Sequence, residues 1–113
     1  MDSILTSIKK MLGIAEDYTQ FDADLVMHIN SVLSILNQLG VGPATGFSIE
    51  SEDETWSDFV DDLSTLQFIK SYIYLKVRML FDPPTGGAVT ESINRQISEL
   101  EWRICVAADK PQS

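Results

Sequence analysis

The stretch Leu66-Gln-Phe-Ile-Lys-Ser-Tyr-Ile-Tyr-Leu-Lys-Val-Arg-Met-Leu-Phe81, followed at once by Asp82-Pro83-Pro84, decides how this chain folds. Leu66, Ile69, Ile73, Val77 and Leu80 recur at the three- and four-residue spacing of one helical face. Phe68, Tyr72, Leu75 and Met79 recur in the same way on a second face. A helix that is apolar on two faces has to be covered on two faces. Lys70, Lys76 and Arg78 interrupt the run, whereas a membrane span needs about 20 nearly uncharged residues, so the stretch reads as a core helix. Asp82 precedes a proline, which pushes it out of the helical region and stops the helix. In a chain of only 113 residues, one of the two apolar faces is expected to be covered by another subunit.

Working outward, the same periodicity predicts helices over residues 2–12, 22–39, 56–63, 65–81 and 88–107. In the first, Ile4, Leu5, Ile8, Met11 and Leu12 share a face, Asp2 or Ser3 caps the start, and Lys9 and Lys10 face the negative end of the helix dipole. Gly13 follows as the left-handed residue beyond its end. In the second, Asp22 is the expected cap, Leu25, Ile29, Val32, Leu33, Leu36 and Leu39 form the stripe, and Gly40 ends it. Gly42, Pro43 and Gly46 punctuate an irregular connection in which Phe47 and Ile49 alternate with polar residues, the pattern of a short extended piece. Glu50-Ser-Glu-Asp-Glu54 reads as a mobile, self-repelling acidic loop, and Thr55-Trp56-Ser57-Asp58 as a capping box with Asp in place of Glu. In the last helix Val89, Ile93, Ile97, Leu100 and Ile104 make one regular stripe. The fold class is therefore all-α: one domain spanning 1–113, a small bundle of about four to five helices with one irregular acidic loop.

Charge narrows the function. The chain holds 17 acidic and 8 basic residues, for a net charge of −9. Nucleic-acid binding draws its affinity from Lys and Arg set against phosphates, so this chain is not built to grip DNA or RNA. The acids are also unevenly placed. Eleven of them lie between Lys10 and Lys70, an interval without a single Lys or Arg, which predicts an acidic side and a near-neutral or mildly basic one. Met1-Asp2-Ser3-Ile4-Leu5 has no basic stretch ahead of an apolar core, so no secretory signal is expected.

Residues for chemistry are sparse. Nucleophilic catalysis needs a nucleophile, a base and an orienting group, and the single histidine, His28, has no such partners indicated. The single cysteine, Cys105, makes no internal disulfide and reads as a small residue beside the last stripe. One His and one Cys do not build a zinc site, and the acidic run lacks the spacing of a calcium loop. Thr85-Gly86-Gly87 lacks the Gly-Lys-Ser/Thr of a phosphate loop and reads as a turn between helices. No enzyme activity and no cofactor are expected. What remains is a helical body with more apolar helix surface than a small bundle needs, which points to assembly.

Four stretches then carry a resemblance. They are Ile4-Leu5-Thr6-Ser7-Ile8-Lys9-Lys10-Met11-Leu12-Gly13-Ile14 with the lead-in to Asp22-Ala23-Asp24-Leu25; Asn37-Gln38-Leu39-Gly40-Val41-Gly42; Lys70 through Pro84, with its Phe81-Asp82-Pro83-Pro84 break; and Ile97-Ser98-Glu99-Leu100-Glu101-Trp102-Arg103-Ile104. Together they make the chain resemble the head–tail connector (adaptor) proteins of long-tailed bacteriophages. The resemblance implies a structural virion protein of the phage neck without enzymatic activity, present in the host cytoplasm during assembly. Its copies would form a homo-oligomeric ring, dodecameric in the virion, below the portal of the DNA-filled head. The ring would extend the DNA channel and present a platform to the next neck or tail-completion protein, with DNA passing by unbound and no membrane involved. On this basis Phe68, Tyr72, Leu75 and Met79 are the expected subunit interface. Glu50, Glu52, Asp53, Glu54 and Asp58 are the expected acidic channel or loop face, although the 50–54 run lies outside the four matching stretches. Trp102, Arg103 and Lys110 are the expected portal contact. The alternative reading is a small helical regulatory protein that binds a single partner protein.

Overall fold

The computed structural model describes residues 3–61 and 64–108. Five helices follow in chain order: α1 (Ile4–Leu12), α2 (Asp22–Gln38), α3 (Trp56–Phe59), α4 (Leu66–Phe81) and α5 (Gly87–Ala108). The described residues contain no strand, only an isolated antiparallel bridge between Ser3 and Thr55. The all-α expectation holds.

α4 lies at the centre and packs against α2, α5 and α1. Leu66, Ile69, Tyr72, Ile73, Leu75 and Val77 are all buried, so both of its apolar faces are used. They meet Leu25, Ile29, Val32, Leu33 and Leu36 of α2, Ile4, Leu5 and Ile8 of α1, and Ile93, Ile97 and Ile104 of α5 in one continuous core. Burying side chains of this size stabilises by roughly 1.5–3 kcal/mol each. The chain itself therefore covers most of the second face of α4, where the sequence suggested another subunit. The body is flat, 45 × 36 × 20 Å.

Local signals set the helix ends. The Ser3 hydroxyl accepts the Thr6 N–H at 3.2 Å at the start of α1. Gly13, at φ +80°, ends α1, and the N–H groups of Gly13 and Ile14 return to the carbonyls of Lys10 and Lys9. α2 departs from expectation. Its cap position is Phe21, and Asp22 lies inside the first turn. The Asp22 carboxylate is drawn away by Lys9, whose ammonium lies 2.8 Å from Asp22 Oδ1 and donates to the Glu16 carbonyl at 2.9 Å. Lys9 is only 2 % exposed, so instead of idling at the C-terminus of α1 it ties α1, the following turn and α2 together. The Asp22 contact lacks hydrogen-bond alignment and is held by charge.

The connection from α2 to α4 is tethered at several points. The Asn30 amide accepts the Ile49 N–H at 2.7 Å and donates to the Ile49 carbonyl at 2.9 Å, standing in for a neighbouring strand. That pins Ile49 in the core, so the alternation around Phe47 and Ile49 marks one anchored residue instead of a strand. The Ile4 N–H donates to the Glu54 carbonyl at 3.0 Å, and the buried Trp56 indole N–H donates to the Ser7 hydroxyl at 3.0 Å. Gly42 is at φ +87°, and a Cβ there would lie 2.5 Å from the Phe59 ring. α3 is a single turn, shorter than the expected 56–63, because Val60 swings to φ −136°, ψ 145°, extended values that suit a β-branched residue. Leu63, expected on the same face, lies outside the described residues.

The Lys9–Asp22 pair is testable by a double-mutant cycle in urea. Lys9→Met and Asp22→Ala are each expected to cost about 1–3 kcal/mol, because each leaves a buried polar atom unmatched. The double variant is expected to cost clearly less than the sum, since the two side chains share one contact.

Candidate functional site

No cluster of three or more His, Cys, Asp or Glu side chains able to hold a metal ion occurs among the described residues. His28 is half-buried on α2, and Cys105 is half-buried on α5. The distinctive features of the molecule are its surfaces.

α4 and α5 meet along a seam centred on Tyr72. Tyr72 is fully buried and its hydroxyl donates to Glu101 Oε2 at 2.6 Å. Burial, then the hydrogen bond to the Glu101 carboxylate and its charge, push the Tyr72 phenol far above its ordinary value. Leu75 is buried beside it. Two of the four expected interface residues thus belong to the packing of the chain's own helices. Phe68 is 37 % exposed, with the Arg103 guanidinium 5.8 Å from its ring centroid. Met79 is half-buried and lines a groove described below.

On the outer side of α5, Trp102 is 65 % exposed and Val106 projects four residues further on. Arg103 donates through Nε and Nη2 to Glu99 Oε1, at 3.2 and 3.0 Å. Such an exposed pair contributes little stability but orients the guanidinium over Phe68. Lys110 lies outside the described residues.

The acidic loop is more ordered than its four clustered acids suggest. Glu50, Glu52, Asp53 and Asp58 are exposed and Glu54 is half-buried. Asp58 Oδ2 accepts the Thr55 N–H at 2.9 Å, the returning half of a capping box. Glu54 folds back, accepting the N–H of Glu50 at 3.0 Å and of Ser51 at 3.2 Å. Partial desolvation pushes the Glu54 carboxyl up, but backbone N–H groups of Glu50, Glu54 and Ser51 together outweigh it, and the carboxyl sits below its ordinary value. Glu54 and Asp58 are thus engaged locally, while Glu50, Glu52 and Asp53 present their charge to solvent.

One further surface escaped the sequence reading. A groove between α2, α4 and α5 is lined by Met27, Ile35, Met79, Leu80 and Ile97, with His28, Ser31, Lys76 and Asn94 at its polar positions. Spacing places Leu80 on a buried face and Met27 on no stripe, yet they are 54 % and 58 % exposed. Buried Lys9 was missed as well, although its position four residues after Leu5 carried the signal.

These features define a small all-α protein whose chemistry-bearing residues are scattered and whose distinctive features are charged and apolar surfaces. The family model described as phage connector protein matches residues 4–111, and the chain belongs to that family. It is accordingly a phage connector component, a virion protein that meets head or tail components. No curated protein and no solved structure matched the chain. No helix among the described residues is long and apolar enough to cross a membrane.

Tyr72→Phe is expected to lower stability by about 1–2 kcal/mol in urea, since the ring still fits but Glu101 loses its donor. In a spectrophotometric titration, the Tyr72 phenol is expected to ionise well above the ordinary tyrosine range. Glu54 gives a pH test. A carboxyl with a lowered folded pKa contributes stability above its unfolded pKa, and that contribution is lost as pH falls through the folded value. The urea midpoint of Glu54→Gln is therefore expected to fall less steeply than the parent's below roughly pH 4.3.

Proposed function

We propose that the chain is the ring-forming connector of a phage neck, joining the portal of the DNA-filled head to the tail and extending the DNA channel. The observation that carries this reading is the family match, which runs from residue 4 to residue 111. The surface chemistry supports it. A ring built head-to-tail needs two different contact faces on each subunit. Phe68 and Met79, the accessible members of the expected interface, serve that contact, while Tyr72 and Leu75 hold α4 and α5 rigid beneath it.

Glu50, Glu52, Asp53, Glu54 and Asp58 face the channel. A like-charged wall repels DNA phosphates and lets the duplex slide past without binding. Trp102, Arg103 and Lys110 meet the portal, where an exposed indole beside a fixed guanidinium supplies the side-chain types that dominate protein contacts. The role is structural, with no catalytic step and no cofactor. The subunit is made in the host cytoplasm and ends in the virion at the head–tail interface, bound to its own copies, to the portal and to the next neck or tail-completion protein.

Light scattering across a concentration series, with negative-stain images of any large species, tests the proposal in the presence and absence of the cognate portal. Rings of uniform size, free or on the portal, are expected. Neutralising Glu50, Glu52 and Asp53 to their amides is expected to leave ring mass unchanged and to affect only DNA passage. A chain that forms no complex with itself or with the portal would overturn the reading in favour of a regulator of one partner protein.

A further inference from the structure

We propose that the groove between α2, α4 and α5 seats the turn Glu16-Asp17-Tyr18 of a second copy of this chain. This deepens the ring reading and rests on it, because it names the contact between neighbouring subunits.

The groove has the chemistry of an acceptor. Its rim carries Met27 and Leu80, two of the most exposed large apolar side chains among the described residues. Its floor is the buried Val32 and Ile97. Met27 and Met79 are unbranched thioethers that adapt to an incoming aromatic ring and make favourable sulfur–ring contacts. In a chain with 17 acidic residues, no carboxylate lines this groove, and its one lysine is Lys76. Lys76 makes no ion pair among the described residues. An occupant that matches it is apolar, aromatic and negatively charged.

The turn between α1 and α2 has that chemistry. Glu16, Asp17 and Tyr18 are all exposed, and neither carboxylate is ion-paired among the described residues. The turn is held in shape before any contact forms. Lys9 holds the Glu16 carbonyl, and the Tyr18 ring rests 5.6 Å from Phe21, which in turn meets Phe81 edge-on at 5.1 Å. A preformed knob loses little entropy on docking. None of the three residues lines the groove of its own copy, so knob and groove are separate surfaces. A contact between two unlike surfaces is heterologous, the type of contact that builds a ring when the rotation between neighbours closes. Asp17 and Glu16 would meet Lys76 while Tyr18 enters between Met27 and Leu80.

Reciprocal charge exchange tests this by sedimentation velocity, with the cognate portal present and absent, after circular dichroism has confirmed unchanged helix content. Lys76→Glu and Asp17→Lys are each expected to weaken self-association roughly tenfold or more, by setting like charges opposite one another. The double variant Lys76→Glu/Asp17→Lys is expected to recover most of the loss, and Tyr18→Ala, which leaves the charges in place, to weaken association as well. Single variants that assemble like the parent, or a double variant that fails to recover, would overturn the groove contact while leaving the ring intact. Loss of portal binding with self-association unchanged would also overturn it, by assigning the groove to the portal. A parent that assembles neither alone nor on the portal would overturn the ring and this contact together.

Discussion

A helix with apolar side chains around most of its circumference has no stable solvated state, and α4 is such a helix. Its burial on two sides dictates the arrangement of everything else. α2 and α1 take one side and α5 the other, which lays the main helices out as a flat body only 20 Å thick. A thicker bundle would bury all its helices on several sides. Here α2 and α5 flank α4 and leave an open groove over it. The centrality of α4 thus explains both the core and the unfilled surface.

Polar tethers complete what the apolar stripes leave loose. Lys9, Asn30 and Trp56 each reach across a gap in sequence to hold a backbone or side-chain group in place. Burying a lysine is unfavourable unless its charge is met, and here Asp22 and the Glu16 carbonyl meet it. Such contacts specify geometry more than they add stability. They fix the entry of α2, the path of the acidic loop and the shape of the Glu16–Tyr18 turn. A protein whose work is to meet neighbours in a defined register needs its surface loops held in this way.

The distribution of charge and apolar surface follows from that frame. Interior packing absorbs Tyr72 and Leu75, so the large apolar side chains left exposed on α4 and α5 lie at their edges, among them Phe68, Leu80 and Trp102. The acidic loop divides its labour, with Glu54 and Asp58 ordering the backbone and the remaining acids shaping the outside potential. A body of this kind, with apolar and charged side chains left at its surface, suits a phage connector, which meets head or tail components.

Sequence by itself determined the helical class, the order and approximate extent of the four longer helices, and the asymmetry of charge. These follow from local periodicity, capping residues and turn breakers, which act over a few residues. The sequence also carried the family resemblance, through stretches that set helices and turns. Tertiary structure alone decided that α5 covers the second face of α4, that Lys9 turns inward to Asp22, that α3 stops after one turn, and that Met27 and Leu80 border a groove. Those outcomes depend on which surfaces meet across many intervening residues. Periodicity marks a face as apolar, but only the packing of whole helices decides whether that face is filled from within or left for a neighbour.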